Sequence, residues 1–331
     1  MSLKLMAAYS IIALMSLSQD IKLKTIELDF DLVGVTNASP IEAKQAQLFA
    51  AWLESGFAGQ MDYMHRNLQK RLEPAKLLDH ARSIIVVGLN YAPLRPGPGF
   101  CDAPAPKGRV ADYAQYEDYH PFIKERLRQL IDYISSQVGA GFNFKICVDS
   151  APVAERALAV RAGLGFIGKN HMLINPQLGC EIFLGEIITD LELQPDEPVA
   201  AGCADCSKCI GACPTGALRR DGQFDAGRCI NYLTIEHKGS IPAQLAEKIG
   251  DRLFGCDECV LACPYQKDAP VCRNEQLRFY PDRAQISLHE ILGLTAESFE
   301  AKFADSPIKR VGLDGLKRNA AICLANISRQ S

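Results

Sequence analysis

Cys203-Ala-Asp-Cys206-Ser-Lys-Cys209-Ile-Gly-Ala-Cys213-Pro214 is followed by a near repeat of itself, Cys256-Asp-Glu-Cys259-Val-Leu-Ala-Cys263-Pro264. Cys-x2-Cys turns let successive thiolates converge on one cluster. A cysteine directly before proline starts a helix that carries its thiolate to a second cluster. By that crossed arrangement Cys203, Cys206 and Cys209 join Cys263, and Cys213 joins Cys256 and Cys259. The second set is one ligand short, and Cys229 is its natural fourth. Two [4Fe-4S] clusters in a ferredoxin-like domain are expected. Zinc knuckles also use Cys-x2-Cys turns, but zinc sites seldom show Cys-x2-Cys-x2-Cys-x3-Cys-Pro, and a second Cys-Pro repeats its ending here.

The other cysteines are sparse. Only Cys101, Cys147 and Cys180 precede the run, and Cys272 and Cys323 follow it as plain buried thiols. A secreted disulfide scaffold would be shorter and more evenly studded, so the clustering points to metal. With 331 residues, 48% of them apolar, the chain can bury a large core in one to three domains. A net charge of −3, with both signs spread along the chain, carries no global signature of a nucleic-acid binder. Near the start, Lys4 precedes a mostly apolar Met6–Leu17 run like the core of a signal peptide. Ser16–Asp20 is a poor cleavage site, however, and the run is too short to span a bilayer. Residues 1–19 therefore read as a frayed extension or a misplaced start. No later stretch reaches transmembrane length, and a soluble monomer outside any membrane is expected.

Upstream of the cysteines the pattern alternates. Residues 18–60 read as partly helical around a strand-like Leu32–Val35. Arg82-Ser-Ile-Ile-Val-Val-Gly88 reads as a buried strand, and Phe144–Val148 and Glu181–Thr189 read as a second and a third strand. Asp118–Val138 has helical periodicity, and Pro152–Ala162 is a helix with proline near its start. Residues 91–108, rich in proline and glycine, form a loop. The alternation implies an α/β or α+β domain over 20–195. A polar, proline-bearing boundary at Leu191–Pro198 leads to the cluster domain over 196–272. Residues 273–331 form a short helical segment. Gly163-Leu-Gly-Phe-Ile-Gly168 has dinucleotide-fingerprint spacing, but it follows a helix and reads as a tight loop before a strand. Two clusters in series conduct single electrons, so the first 200 residues must use them.

The cysteine motifs together resemble those of the epoxyqueuosine reductases of tRNA queuosine synthesis. So do Gly59–Arg66, Arg82–Tyr91, Asp118-Tyr-His120, Asp149-Ser-Ala-Pro-Val153, Gly163–Asn170, Phe183-Leu-Gly-Glu-Ile187 and Cys229–Glu236, over about residues 20–272. The resemblance implies a cytoplasmic enzyme with cobalamin and two [4Fe-4S] clusters. Such an enzyme reduces epoxyqueuosine to queuosine at the tRNA wobble position. It also implies that Asp149 is the proton donor. A carboxyl donor needs a raised pKa, which burial beside the corrin would supply. The plain alternative is that Asp149 caps the following helix.

Other residues matter less. Arg66 is a candidate to grip corrin amides or a phosphate, or is a solvated arginine. Lys169, Asn170 and Leu173 either line the corrin or pack the loop. The family binds cobalamin without a histidine below the cobalt, so the resemblance gives His120 a structural role. Asn231 stands where the family often has serine, and Asp112 where some members carry cysteine near the cobalt. Many members have a longer helical-repeat tail. Here Ser306–Ser331 carries Lys309, Arg310, Lys317, Arg318 and Arg329 against Asp314, an excess suited to a phosphate backbone or a solvated helix face. Rival readings are a reductive dehalogenase, which would carry a twin-arginine leader, a ferredoxin-like electron carrier, and a zinc protein that binds tRNA. The sequence does not name the electron donor.

Overall fold

A computed structural model describes residues 16–95, 106–139 and 141–329. Cys101 and most of the apolar run after Lys4 lie outside those residues. The chain divides into two compact units. Residues 16–50, 64–90 and 120–203 form the first, and 51–63, 91–119 and 204–329 the second.

The first unit is built on a four-stranded sheet. Its order is Leu32–Asn37, Ser83–Asn90, Ile182–Thr189, Phe144–Cys147, and every neighbouring pair is antiparallel. The Ser83–Asn90 strand is buried along its whole length, as its unbroken apolar β-branched run predicts. Ile84, Ile85, Val86, Val87 and Leu89 are fully buried. Each such side chain contributes ~1.5–3 kcal/mol on leaving water. On one face, Ile84, Val86 and Ile188 pack with Leu158 and Ala159 of the Glu155–Arg161 helix. On the other lies the Tyr119–Val138 helix. Gly185 makes that approach possible, because a Cβ there would stand 2.8 Å from the Ile123 side chain. The helix expected from Pro152 begins at Glu155, so Pro152 precedes it.

Residues 16–27 are helical, and this helix includes the last residues of the stretch read as an extension. Ser18 Oγ accepts the Gln194 N–H at 2.8 Å, and Ile21 and Thr25 are fully buried. No helix of the described residues is long and apolar enough to cross a membrane.

In the second unit the Lys107–Val110 strand pairs with Arg252–Phe254 and Gln285–Ser287. Its core gathers Phe254, Phe303, Leu253, Ile249, Leu316 and Cys323, all fully buried. The Gly312–Ser328 helix is fastened into this core rather than standing apart. Buried Asn319 donates to the carbonyls of Thr234 (2.8 Å) and Leu253 (3.0 Å), and Asn326 donates to Ala246 and Gly250. Burial keeps Cys323 a neutral thiol, raised to about 12.

One buried residue of the first sheet carries a carboxyl. Glu186, opposite Cys147 in the ladder, is fully buried, and neither carboxyl oxygen has a hydrogen-bond partner. Burial, with the nearby charges of Glu155 and Asp149, pushes it well above the usual carboxylate range. The folded protein thus holds a proton at neutral pH that the unfolded chain releases. The sign follows from linkage: stability lost through Glu186 is absent below its unfolded pKa and grows as pH rises above it. Glu186→Gln removes the titration and keeps the shape. Its thermal midpoint should match wild type near about pH 5 and exceed it near about pH 8, by at most ~1.4 kcal/mol per pH unit. A difference independent of pH would show that Glu186 is not held neutral by the fold.

Candidate active site

Asp149 sits two residues past the end of the Phe144–Cys147 strand, in a turn with φ 47°. That left-handed conformation is uncommon for a residue with a Cβ, though aspartate adopts it more readily than most. Its side chain is 56% exposed, and Oδ2 lies 3.1 Å from His120 Nε2. Its backbone N–H donates to Glu155 Oε1 at 2.5 Å. The Glu155–Arg161 helix is capped by Ala154 with no side-chain hydrogen bond, so Asp149 is not the cap of that helix. The plain alternative for this residue therefore fails. Burial first, then the Asp149 charge, pushes Glu155 up to about 7, against the Asp149 hydrogen bond and the charges of Arg156 and Arg71. With Glu186, three carboxyls gather at one end of the sheet. Cys147 beside them is raised to about 12, by burial and then by Glu186.

Residue order scatters this grouping. His120 is 29 residues from Asp149, and Glu155 and Glu186 read as an ordinary first-turn acid and a strand residue. The one available signal was a carboxylate in an otherwise apolar strand, Phe183-Leu-Gly-Glu-Ile187.

The glycine-rich stretch after that helix is a turn into a small hairpin, Phe166–Ile167 with Leu173–Ile174. A Cβ on Gly165 would lie 2.2 Å from the Ile174 carbonyl oxygen, so this glycine serves close backbone packing. Asn170 is buried, and its Oδ1 accepts the Met172 N–H at 3.1 Å. Leu173 belongs to the apolar core of the unit. Both residues shape the loop. Lys169 is exposed, its N–H donating to Cys203 Sγ at 3.4 Å, and Ile167 beside it is 41% exposed. Arg66 is exposed at the end of the short Asp62–Arg66 helix.

In the second unit, Asn231 is exposed next to Cys229. Asp112 is buried, accepts Arg95 Nε at 2.9 Å, and donates its N–H to Asp257. Helix ends carry the cysteines. Cys213 ends the Lys208–Ala212 helix, which contains Cys209. Cys229 begins Ile230–Ile235, Cys263 begins Pro264–Lys267, and Cys259 lies in Glu258–Leu261. Cys206 is half-buried, and Cys209 and Cys263 are buried.

Cys213, Cys229, Cys256 and Cys259 are brought within electrostatic reach of one another. Burial raises Cys259, and repulsion from Cys229, Cys256, Asp257 and Cys213 adds to it. Burial likewise raises Cys256, to about 12, and Cys229. Cys213 is the exception. Burial would raise it, but the N–H groups of Leu218, Thr215 and Ala217 and the Thr215 hydroxyl lower it. Buried thiols that repel one another as thiolates form a donor set that bound metal charge ionises. Among the described residues, no three His, Cys, Asp or Glu side chains converge as ligands of a single ion. A four-iron cubane is larger than one ion and holds its thiolates correspondingly further apart.

The basic excess of the C-terminal helices is mostly spoken for. Lys309 pairs with Glu300, Arg310 with Glu236 and Arg329 with Glu247. Arg318 donates to the carbonyls of Leu233, His237 and Gly239. Counting charges in the sequence overstated the free positive surface here.

Comparison with known proteins agrees with this arrangement. Residues 202–266 match a 4Fe-4S double cluster binding domain, and residues 71–150 match the family model described as epoxyqueuosine reductase QueG, DUF1730. The epoxyqueuosine reductase of Burkholderia pseudomallei is 39% identical, the match covering 96% of this chain and 83% of that protein. A crystal structure of an epoxyqueuosine reductase with an epoxyqueuosine-modified tRNA stem loop superposes with a TM-score of 0.86. It is 31% identical, over 94% of this chain and 81% of that one. The Bacillus subtilis enzyme, captured with its catalytic aspartate loop swung out of the active site, gives the same TM-score and identity, over 94% and 82%. With a double-cluster domain and relatives so alike over most of its length, the chain is an oxidoreductase that belongs to the epoxyqueuosine reductase family.

Proposed function

We propose that this chain reduces epoxyqueuosine to queuosine at the wobble position of tRNA in the cytoplasm, with Asp149 as proton donor. The observation that carries the reading is an exposed carboxyl on a left-handed turn, held by its main chain and its side chain on separate anchors. The relative captured with its catalytic aspartate loop swung out supports a turn built to move, and the relative bound to a tRNA stem loop supports the substrate.

Removing the epoxide oxygen breaks two C–O bonds, forms a carbon–carbon double bond and releases water. It consumes two electrons and two protons. Bound [4Fe-4S] clusters would supply electrons one at a time, and bound cobalamin a strongly reducing cobalt centre. Cys203, Cys206, Cys209 and Cys263 would hold one cluster, and Cys213, Cys229, Cys256 and Cys259 the other. The exposed Ile167 and Lys169 suit a flat macrocycle fringed with amides, and Arg66 adds a further cation. Asn170 and Leu173 position that loop, and Asn231 stands beside a cluster ligand. Asp149 delivers a proton to the departing oxygen. His120 Nε2, at 3.1 Å, orients the carboxyl and is placed to return a proton to it.

Three measurements test this reading. Anaerobic reconstitution should give about eight iron atoms per chain; stoichiometric zinc without iron would overturn the cluster assignment. Paramagnetic resonance of the cob(II)alamin form should lack imidazole nitrogen splitting. Asp149→Asn keeps size and shape but cannot act as an acid. Single-turnover conversion of epoxyqueuosine tRNA by chemically reduced enzyme should fall on the order of 100- to 10,000-fold, with clusters and cobalamin retained. A rate within a few-fold of wild type would remove Asp149 from the chemistry.

A further inference from the structure

We infer that Glu155 is a positioning residue, whose carboxylate latches the Asp149 turn by accepting the Asp149 main-chain N–H. The functional meaning of the latch rests on Asp149 being the proton donor; the latch itself does not.

The Glu155 carboxyl joins the main chain of the turn to a separate element of the fold. Its other internal hydrogen bonds are local, Ser150 N–H to the Val148 carbonyl and Val153 N–H to that of Ala151. Arg71 donates to the Val153 carbonyl at 3.0 Å. Asp149 itself has a φ of 47°, which a residue with a Cβ keeps only where surrounding contacts impose it. The Glu155 contact is short and involves an acid, the strong class of hydrogen bond. Glu155 also has a fixed base. It opens a helix whose Leu158 and Ala159 are fully buried. Arg161 at the far end ties that helix to Thr36 Oγ1 and the Asn37 carbonyl, both at 2.8 Å, and to Pro40. On the proposed function the turn releases and returns, and Glu155 fastens its Asp149 main chain to a rigid element while His120 takes its carboxyl.

The latch responds to pH. Burial and the Asp149 charge raise Glu155 to about 7, opposed by its hydrogen bond and by Arg156 and Arg71. Of the groups nearby, Glu186 and Cys147 are held neutral, and His120 faces Asp149. Above about 7 the carboxylate accepts strongly. Below it the neutral acid accepts weakly, and the turn loosens.

Hydrogen–deuterium exchange of the peptide covering residues 148–153, corrected for intrinsic rates, tests this in the full holoenzyme. Glu155→Ala should speed exchange about tenfold or more near about pH 8, the difference between a charge-assisted hydrogen bond and none. Its single-turnover rate should fall roughly tenfold with tRNA affinity unchanged. Glu155→Gln keeps an acceptor and should recover most of the protection. Its protection should no longer change between about pH 6 and pH 8, whereas that of wild type should weaken as pH falls. Wild-type exchange in Glu155→Ala, or an unchanged pH response in Glu155→Gln, would overturn the latch. If Glu155→Ala does not fold, the Glu155→Gln pH response decides alone. Asp149→Asn measured alongside separates the two ideas. Full turnover in that variant removes the proton donor and leaves the latch to the exchange data. An inactive Asp149→Asn beside an Glu155→Ala that exchanges like wild type removes only the latch.

Discussion

The ladder between Ser83–Asn90 and Ile182–Thr189, buried on both faces, is the constraint on which the first unit depends. Because it has no solvent face, a one-residue slip would exchange every side chain between two different helix packings. Its register therefore fixes the strand next to it. Phe144–Cys147 pairs along Ile182–Thr189 with Cys147 opposite Glu186, and the chain leaves the sheet two residues before Asp149. The position of the candidate proton donor is thus set by hydrophobic burial some distance away. The turn that carries Asp149 thus hangs from a sheet edge whose place is already fixed.

The same register places a carboxyl where the fold alone would prefer a valine. Glu186 is fully buried and unsatisfied, Glu155 is raised to about 7, and Asp149 is close enough to affect both. Three acids with few opposing cations lower the stability of the unit, and such local conflicts concentrate at functional sites. Glu186 and Glu155 are thereby held toward their protonated forms next to a group proposed to give a proton away. The second unit has an analogous conflict in its gathered thiols, which burial and mutual repulsion hold neutral until metal charge is present.

Much of this followed from residue order. The fully buried strand of the sheet follows from its β-branched apolar run, and the Tyr119–Val138 helix from its 3.6-residue period. The glycine spacing at 163–168 does follow a helix, and Gly165 there makes room for the Ile174 backbone. Other readings failed for physical reasons. Residue order suggests a helix from Pro152 with Asp149 as its cap. Proline marks a first turn only when the chain is already turning into the helix, and here Glu155 opens it. The basic tail looked free because its partners, Glu236, Glu247 and Glu300, lie elsewhere in the sequence.

By itself, the sequence determined the double-cluster motif, the mixed helix and strand pattern of the first unit and the family, because cysteine spacing and apolar periodicity are local properties of the chain. Only the tertiary structure decided what surrounds Asp149. Its partners come from residue 120 on one helix, residue 155 on another and residue 186 on a strand. Hydrogen bonding and desolvation depend on distance in space, which residue order does not encode one contact at a time.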